Sequence, residues 1–396
     1  MNTRHILCAA LTLWAGTALR AQETSINQVL ESIEANNATL RAYAEQTARQ
    51  KLEDKAGNNL PDPTATYAHM WGAGSRETIS EASLSQRFDF PTLYAGRRKL
   101  NKLKANALDS QARTLRRDIL LLAQELCLDI ILLRQQRTVL EERLKNAREL
   151  TAMYDEKLKQ GEANVIQTNR ISLELLNAVT EAGLNETALR NKLLELTALN
   201  GNIPVTFDDT DYPLPTALLP PDDPQAASQT LRDDPELAAL HQQILAANRQ
   251  LRISKAQWLP KLELGYRRNI EAGRPFNGLM AGISIPLFEN RNNIKAAKAQ
   301  TRELNARTES AAARIKTEQE QLRAEAQALQ NTINDYKKTA ATQTTLPLLK
   351  EALAGGQLST IEYLAELTVF HQSRLNHLQL QNQYQKTLAR LRKNGL

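Results

Sequence analysis

The stretch "LMAGISIPLFENRNNIKAAKAQ", residues 279–300, changes its pattern in the middle. Up to Ile285, apolar and small residues alternate, which is typical of a β-strand with two different faces. From Glu289 onward the sequence is polar and rich in alanine, and no glycine or proline occurs before Pro347. Such a composition favours a very long helix. The stretch therefore predicts a strand that runs directly into a long helix.

A similar junction occurs earlier, at "RFDFPTLYAGRRKLNKLKANAL", residues 87–108. Pro91 of this junction and Pro286 of the later one lie 195 positions apart. Gly161 and Gly356 are separated by the same distance, and the order of the similar segments is kept. Such self-similarity indicates a duplicated architectural unit.

Each repeat is predicted to contain an initial helix, two strands and a long helical hairpin. The first repeat covers residues 22–203, with strands at about 63–72 and 80–90 and a hairpin at about 92–199. The second covers residues 233–396, with strands at about 260–269 and 278–287 and a hairpin at about 289–392. Residues 204–232 are rich in Pro and Asp, and are predicted to connect the repeats.

Residues 1–21 are interpreted as a secretory signal peptide. Arg4 precedes a short apolar run, and small residues follow at Ala18 and Ala21. The run is too short to span a membrane permanently, although an uncleaved anchor is the alternative. Without this segment Cys127 is the only cysteine, so no intramolecular disulfide is expected. The net charge of +6 is spread among acidic residues, which favours solvated helix faces over a nucleic-acid partner.

The helical regions carry a seven-residue repeat, the pattern of a left-handed coiled coil. Its members are Ile119, Leu126, Leu133, Leu140, Ala147 and Tyr154. The helix predicted from Thr92 to about Gln160 would be about 100 Å long. The returning helix of each hairpin has about half that length. The initial helix of each repeat is therefore expected to stack end to end with it.

The predicted strands alternate between an apolar and a polar face. Leu262, Leu264 and Tyr266 share one face, and Lys261, Glu263 and Arg267 share the other. This pattern suits a membrane barrel with lipid outside and water inside, but an ordinary half-buried sheet explains it equally well. Four strands cannot close a barrel, so a barrel would require further copies of the chain. The mean hydropathy of −0.47 excludes a polytopic helical membrane protein.

The two junctions, the tandem duplication and the glycine turns together resemble the TolC family of outer-membrane efflux proteins. The resemblance covers essentially the whole mature chain. It implies a mainly α fold, with a long antiparallel coiled-coil α-barrel and four strands per chain. In the family, three copies complete one β-barrel in the outer membrane of a Gram-negative bacterium, and their helices form a tunnel across the periplasm.

The resemblance also implies where the functional residues lie. Gly161, Gly355 and Gly356 match the turns at the periplasmic tip, which contact an adaptor protein that serves an inner-membrane pump. Glycine at these positions is equally expected from helix capping alone. Glu362 matches the position of an acidic ring in the lumen, although a solvated surface carboxylate is the alternative.

Three further residues are candidates for the gate region of the tip. Ile166 and Gln167 occupy the gate positions of the first repeat, where a salt-bridged gate is not expected. Pro347 interrupts the second long helix and is expected to kink it, which would bend the tip inward.

The sequence shows no motif of an enzyme, a cofactor or a metal site. His371 and His377 lie six positions apart, on different faces of a helix. We therefore expect no catalytic residue, cofactor or bound metal. The expected function is a passive exit duct for small molecules or metal cations. "IPLFENRNNIKAAKAQ" is most similar to the heavy-metal (CzcC-like) branch of the family. The alternative function is a periplasmic coiled-coil adaptor or scaffold without a channel.

Overall fold

The computed structural model describes residues 25–72, 78–213, 229, 231–341 and 345–396. The predicted signal peptide and much of the connector lie outside these residues. The first repeat contains α1 (Ile26–Asn36), α2 (Ala38–Ala56), β1 (Thr64–Trp71), β2 (Thr78–Phe88), α3 (Pro91–Lys159) and α4 (Val165–Leu199). The second contains α5 (Pro235–Ala256), β3 (Lys261–Glu271), β4 (Arg274–Ser284), α6 (Asn293–Ala341), α7 (Thr345–Ala354) and α8 (Thr360–Leu391). A 3₁₀ turn, Lys393–Gly395, follows α8.

The first strand-to-helix junction is as direct as predicted. Strand β2 ends at Phe88, and α3 begins at Pro91 and continues for 69 residues. Proline is well suited to the first position of a helix because its missing N–H would have no partner there and its φ is already helical. Pro91 therefore marks the place where sheet changes to helix.

The second junction differs from the prediction. Strand β4 ends at Ser284, and α6 begins at Asn293 instead of about Glu289. Asn292, directly before α6, has a φ of 71°, a left-handed conformation that a right-handed helix cannot contain. Residues 285–292 therefore form a connection between strand and helix, and the predicted direct transition is wrong in the second repeat.

The turn between β3 and β4 is shorter than predicted, so β4 begins at Arg274 and not at about residue 278. Glu271 is paired with Arg274, which leaves only two residues in the turn. These residues, Ala272 and Gly273, have φ values of 46° and 76°. Two consecutive residues with positive φ are typical of the type I′ hairpin turn, whose twist matches that of the strands.

The four strands form one antiparallel sheet in the order β1-β2-β3-β4. The strand pairs of the two repeats are therefore joined through β2 and β3, where Leu84 lies opposite Tyr266. Strands β1 and β4 are the sheet edges. In the described part of the chain, no helix is both long enough and apolar enough to cross a membrane.

The long helix α3 is lined by shorter helices stacked end to end. Helix α4, with 35 residues, packs along one half of α3, and α1 and α2 pack along the other half. At their meeting point Asn37 Nδ2 donates to Leu199 O at 2.8 Å, and Ser32 Oγ donates to Asn200 Oδ1 at 3.0 Å. The first bond satisfies the carbonyl group of the last residue of α4, and the second joins side chains of the two stacked helices.

The second repeat is built in the same way, with α5 and α8 lining α6. At their meeting point Arg117 of α3 lies 3.1 Å from Asp234, the N-cap residue of α5, and 3.2 Å from Asn394. Helices α5 and α8 also pack against α3. We call each long helix, or each set of shorter helices stacked end to end, a helical track. The tracks lie side by side in one row, with α1, α2 and α4 at one edge and α6 at the other.

The buried apolar residues form separate clusters along this row. One, with Leu93 and Ile253, lies near the sheet, and another, with Leu126 and Cys127, lies at mid-length. A third, with Tyr154, lies near the glycine turns. Burial raises the pKa of Cys127 to about 12, so this thiol stays protonated and packs as an apolar group.

Candidate functional site: two glycine turns and an exposed apolar sheet face

The turns after α3 and α7 have the same geometry. Gly161 and Gly356 have φ values of +77° and +69°. The N–H of Glu162 donates to Lys157 O at 2.8 Å, and that of Gln357 donates to Ala352 O at 2.8 Å. These are the bonds of a Schellman motif, in which a left-handed glycine ends a helix. Gly355, the other predicted turn residue, is the last residue before this glycine.

Each returning helix begins with a capping box three residues after the turn glycine. In the first repeat the partners are Asn164 and Gln167, and in the second they are Ser359 and Glu362. The Glu362 carboxylate accepts from Ser359 N at 2.9 Å, and Ser359 Oγ accepts from Glu362 N at 3.3 Å. This capping role was not predicted, although the sequence contains the signal S-x-x-E three residues after the turn glycine.

The capping box also affects the charge of Glu362. Hydrogen bonds from Ser359 lower the pKa of Glu362, because they stabilise the carboxylate form. The side chain is therefore ionised at neutral pH. A capping role and a place in an acidic ring are compatible, since the carboxylate is exposed to solvent.

The other predicted gate residues lie at or near the same turns. The Ile166 side chain is 73% exposed, and Gln167 is half-buried in the capping box of the first repeat. Pro347 is exposed and lies in the first turn of α7, where proline is tolerated. Residues 342–344, between α6 and α7, lie outside the described residues, so the kink stays a prediction.

The two hairpins contact each other directly below the turns. The Tyr154 hydroxyl of α3 hydrogen-bonds to Thr360 Oγ1 of α8. Tyr154, Ile171, Tyr363 and Leu364 belong to one buried cluster. The turns are therefore held side by side by a shared apolar core.

A cluster of charged side chains spans α4, α3 and α8 farther from the turns. Arg143 of α3 is buried and lies 2.8 Å from both Glu174 and Glu181 of α4. On the other side, Glu142 of α3 lies 2.5 Å from Arg374 of α8. These ion pairs connect three tracks through two adjacent residues of α3.

His371 of α8 lies among these charges but has no hydrogen-bond partner on either ring nitrogen. Its side chain is 1% exposed. Desolvation lowers the pKa of His371 to about 4, and the charges of Arg143 and Arg374 act in the same direction. Within the described residues, no group of three or more His, Cys, Asp or Glu side chains is placed to hold a metal.

The sheet has one apolar face, and no described residue of the chain covers it. Leu84, Tyr266 and Leu279 lie opposite one another on neighbouring strands, and therefore project to the same side. Leu279 is 93% exposed and Ile283 is 70% exposed. The half-buried alternative is therefore wrong for the single chain.

The opposite face of the sheet is polar. Arg87 lies 3.5 Å from Glu263, and Arg267 forms an ion pair with Glu81. Moving these charged groups from water into an apolar environment would cost free energy, so this face suits contact with water. The register thus separates an apolar surface from a hydrated one, as the alternation predicted.

Comparison with known proteins shows that this architecture is similar to that of outer-membrane efflux proteins and channels. Residues 226–394 match the family model of the outer membrane efflux protein. The search of curated proteins finds no match. Among solved structures, CusC has a TM-score of 0.79 at 16% identity, covering 94% of this chain and 92% of CusC. The CmeC outer membrane channel of Campylobacter jejuni has a TM-score of 0.72 at 16% identity, covering 93% and 85%. The MtrE outer membrane channel of Neisseria gonorrhoeae, in its open state, has 0.75 at 16% identity, covering 93% and 88%.

The structural matches establish the fold of an outer-membrane channel over nearly the whole chain. The sequence of the second repeat carries the signature of the efflux proteins. The family signature in residues 226–394 and the fold of the described chain therefore both agree with the resemblance to the TolC family of outer-membrane efflux proteins.

Substitution of Gly356 by Ala tests the turn geometry. We expect a loss of about 1 kcal/mol in local stability, because an L-residue is strained at positive φ. A Cβ at Gly356 meets no neighbour within 4 Å, so the cost comes from the backbone alone. Amide hydrogen exchange of residues 350–365 measures the change. Gly183→Ala is the control, because Gly183 lies inside α4 with equal space around it, and there alanine should stabilise. Equal protection in both variants would refute the strain.

The buried His371 predicts a dependence on pH. A histidine with a lowered pKa in the folded state binds protons mainly when unfolded, so stability is lost as the pH falls from about 6.5 towards 4. We expect the amide protection factors of residues 363–375, which are corrected for the intrinsic pH dependence of exchange, to fall over this range in the wild type, and His371→Leu to remove most of the dependence. His241→Gln, at an exposed histidine of α5, is the control. Wild-type protection factors that stay constant from pH 7 to 4.5 would contradict the prediction.

Proposed function

We propose that this chain forms the outer-membrane exit duct of a tripartite efflux system, through which small molecules or metal cations pass passively from the periplasm to the exterior. The observation that carries the proposal is the uncovered apolar face of a sheet that continues into long, polar helices. A membrane covers the apolar face, and the helices extend away from it into water. The match of residues 226–394 to the outer membrane efflux protein family supports the same location, the outer membrane of a Gram-negative bacterium.

The duct requires several copies of the chain. Edge strands β1 and β4 have unpaired backbone groups, and such groups cannot face lipid. Closing the sheet with other copies satisfies them, and three copies give the twelve strands that are expected from the family. Strand β1 and the α1, α2 and α4 track lie at one edge, whereas β4 and α6 lie at the other. One copy therefore meets the next through unlike edges, the arrangement that closes a ring.

Helix α4 carries a second apolar stripe, and this stripe has no partner among the residues that the structure describes. Its members, called here the α4 stripe, are Ile166, Leu173, Leu176, Leu184 and Leu194. All are at least 60% exposed, and they lie on the side of α4 away from the residues that are buried against α3. We propose that the α4 stripe packs against α6 of the neighbouring copy.

The glycine turns are proposed as the end that docks with a periplasmic adaptor, which in turn connects to an inner-membrane pump. The two turns share one backbone shape and lie side by side, so three copies would present six similar turns to the adaptor. This shape depends on Gly161, Gly355 and Gly356. Ile166, Gln167 and Pro347 lie at or near the same turns, where a constriction would control entry.

The cargo is proposed to include cations, because Glu362 is ionised and exposed near this constriction. Three copies would place a ring of carboxylates at the entrance, and such a ring favours cations. The similarity of residues 285–300 to the heavy-metal branch points the same way. A soluble scaffold is disfavoured, because it would leave the apolar sheet face in water.

Leu176→Asp tests assembly through the α4 stripe. A charge at the centre of a helix seam should weaken the oligomer strongly, because a carboxylate would be desolvated without a partner. Native mass spectrometry of the detergent-solubilised protein should detect trimers of the wild type and mainly monomers of the variant. Gln379→Asp is the control, because Gln379 is an exposed residue of α8, which lies between α3 and α6 of its own chain. A variant that remains fully trimeric would reject the α4 stripe as the seam.

Glu362→Gln tests the acidic ring separately from the cap. Glutamine serves the same capping box in the first repeat, at Gln167, so the turn should remain intact. We expect the ratio of cation to anion permeability in planar bilayers to fall, because three negative charges leave the pore. Glu366→Gln is the control, since Glu366 is an exposed residue one turn further along α8. Unchanged selectivity in Glu362→Gln would reduce Glu362 to a capping residue.

A further inference from the structure

The apolar face of the sheet contains one permanently charged side chain, that of Arg268. Among the described strand residues, the other permanently charged side chains project from the polar face: Glu81, Arg87, Lys261, Glu263, Arg267, Glu271 and Arg274. Arg268 lies opposite Ala82 and Asn277, and so shares the face of Leu84 and Leu279. A cation in this position requires an explanation.

No group of the described chain neutralises Arg268. The side chain is exposed, and neither a hydrogen bond nor an ion pair is formed by it within the described residues. Asn277 accepts a hydrogen bond from the Tyr266 hydroxyl at 2.8 Å. No carboxylate of the described strands is on this face. By contrast, Arg267 on the opposite face is paired with Glu81.

The second observation is the position of Arg268 along strand β3. Strand β3 begins at Lys261 near the helices, and Arg268 lies seven residues farther, about 24 Å along the strand. Leu262, Leu264 and Tyr266 occupy the apolar face between them. Beyond Arg268 the same face is mixed: His69, bonded to Ser80 at 2.8 Å, lies in one row with Ile270 and Pro275, and Trp71 follows at the end of β1. Arg268 therefore lies where the apolar band ends, at the side away from the helices.

This depth makes a lipid headgroup the fitting partner. An arginine that faces lipid at the midplane of a barrel is strongly destabilising, but near the interface the cost is small. The membrane there presents phosphate groups, and a guanidinium binds phosphate with two parallel hydrogen bonds. Ala82 is small and leaves room beside the guanidinium, and Tyr67 lies opposite Ala82 on the next strand. Aromatic side chains are common at this level.

We propose that Arg268 binds the phosphate group of a glycolipid in the outer leaflet and thereby fixes the height of the duct in the membrane. The proposal rests on the proposed function, because it requires the apolar face to be in contact with lipid. In a trimer it would give three equivalent lipid sites around the barrel. The chemical group that Arg268 would recognise is a phosphate monoester at the membrane surface.

The test uses full-length protein reconstituted into phosphatidylcholine vesicles that contain either bis-phosphorylated lipid A or lipid A without phosphates. After flotation and solubilisation, native mass spectrometry counts the lipid A molecules that each trimer retains. We expect the wild type to retain the phosphorylated form, Arg268→Gln to lose it by about tenfold, and Arg268→Lys to lose it in part. Arg274→Gln should match the wild type, because Arg274 is exposed on the polar face.

The possible results separate the two proposals. Wild-type protein that fails to float with the vesicles contradicts the membrane location, and with it the lipid site. Protein that floats, while Arg268→Gln retains as much phosphorylated lipid A as the wild type, contradicts only the Arg268 site. Equal retention of both lipid forms by the wild type contradicts it as well. Displacement of lipid A by millimolar inorganic phosphate would indicate a general anion site and overturn the lipid assignment.

Discussion

The structure depends on one constraint, which is that the sheet cannot be completed by its own chain. Four strands leave the backbone groups of β1 and β4 unpaired and one apolar face uncovered. In water the apolar face favours association, and in lipid the unpaired edges are forbidden. Both problems are solved together when copies close the sheet into a barrel. The sheet of one chain is therefore best understood as one segment of such a barrel.

The helical part of the chain is likewise a single layer, because its helices lie side by side in one row. Its apolar clusters lie between neighbouring helices, near the sheet, at mid-length and near the turns. Polar contacts close the gaps where two short helices meet beside a long one. Asn37 and Asn200 do this in the first repeat, and Arg117 with Asp234 does it in the second. The duplicated architecture therefore uses different side chains for the same structural task.

The two turns show how far the duplication is conserved in geometry. Both end a long helix with a left-handed glycine and begin the next helix with a capping box. The N3 residue is Gln167 in one repeat and Glu362 in the other, so the shape is repeated while the charge is not. In the proposed trimer, six turns of similar shape would therefore carry a carboxylate at the N3 position in only three of them.

The sequence by itself determined the local features of this protein. The alternation of Leu262, Leu264 and Tyr266, the proline that begins α3 and the turn glycines each depend on backbone preferences that act over a few residues. Periodicity could therefore predict the long helices, the four strands and the duplication. The S-x-x-E signal of Ser359 and Glu362 was equally local and was overlooked.

Only the tertiary structure decided features that depend on distant segments. The pairing of β2 with β3 places Arg268 on the apolar face beside Ala82, about 190 positions away in the sequence. His371 is buried on α8, which packs against α3 and α6, so its lowered pKa had no local signal. Because Asn292 has a left-handed conformation, α6 begins only at Asn293, although the composition favours helix from Glu289. Burial, register and edge exposure are set by which surfaces meet, and no short stretch of sequence contains that information.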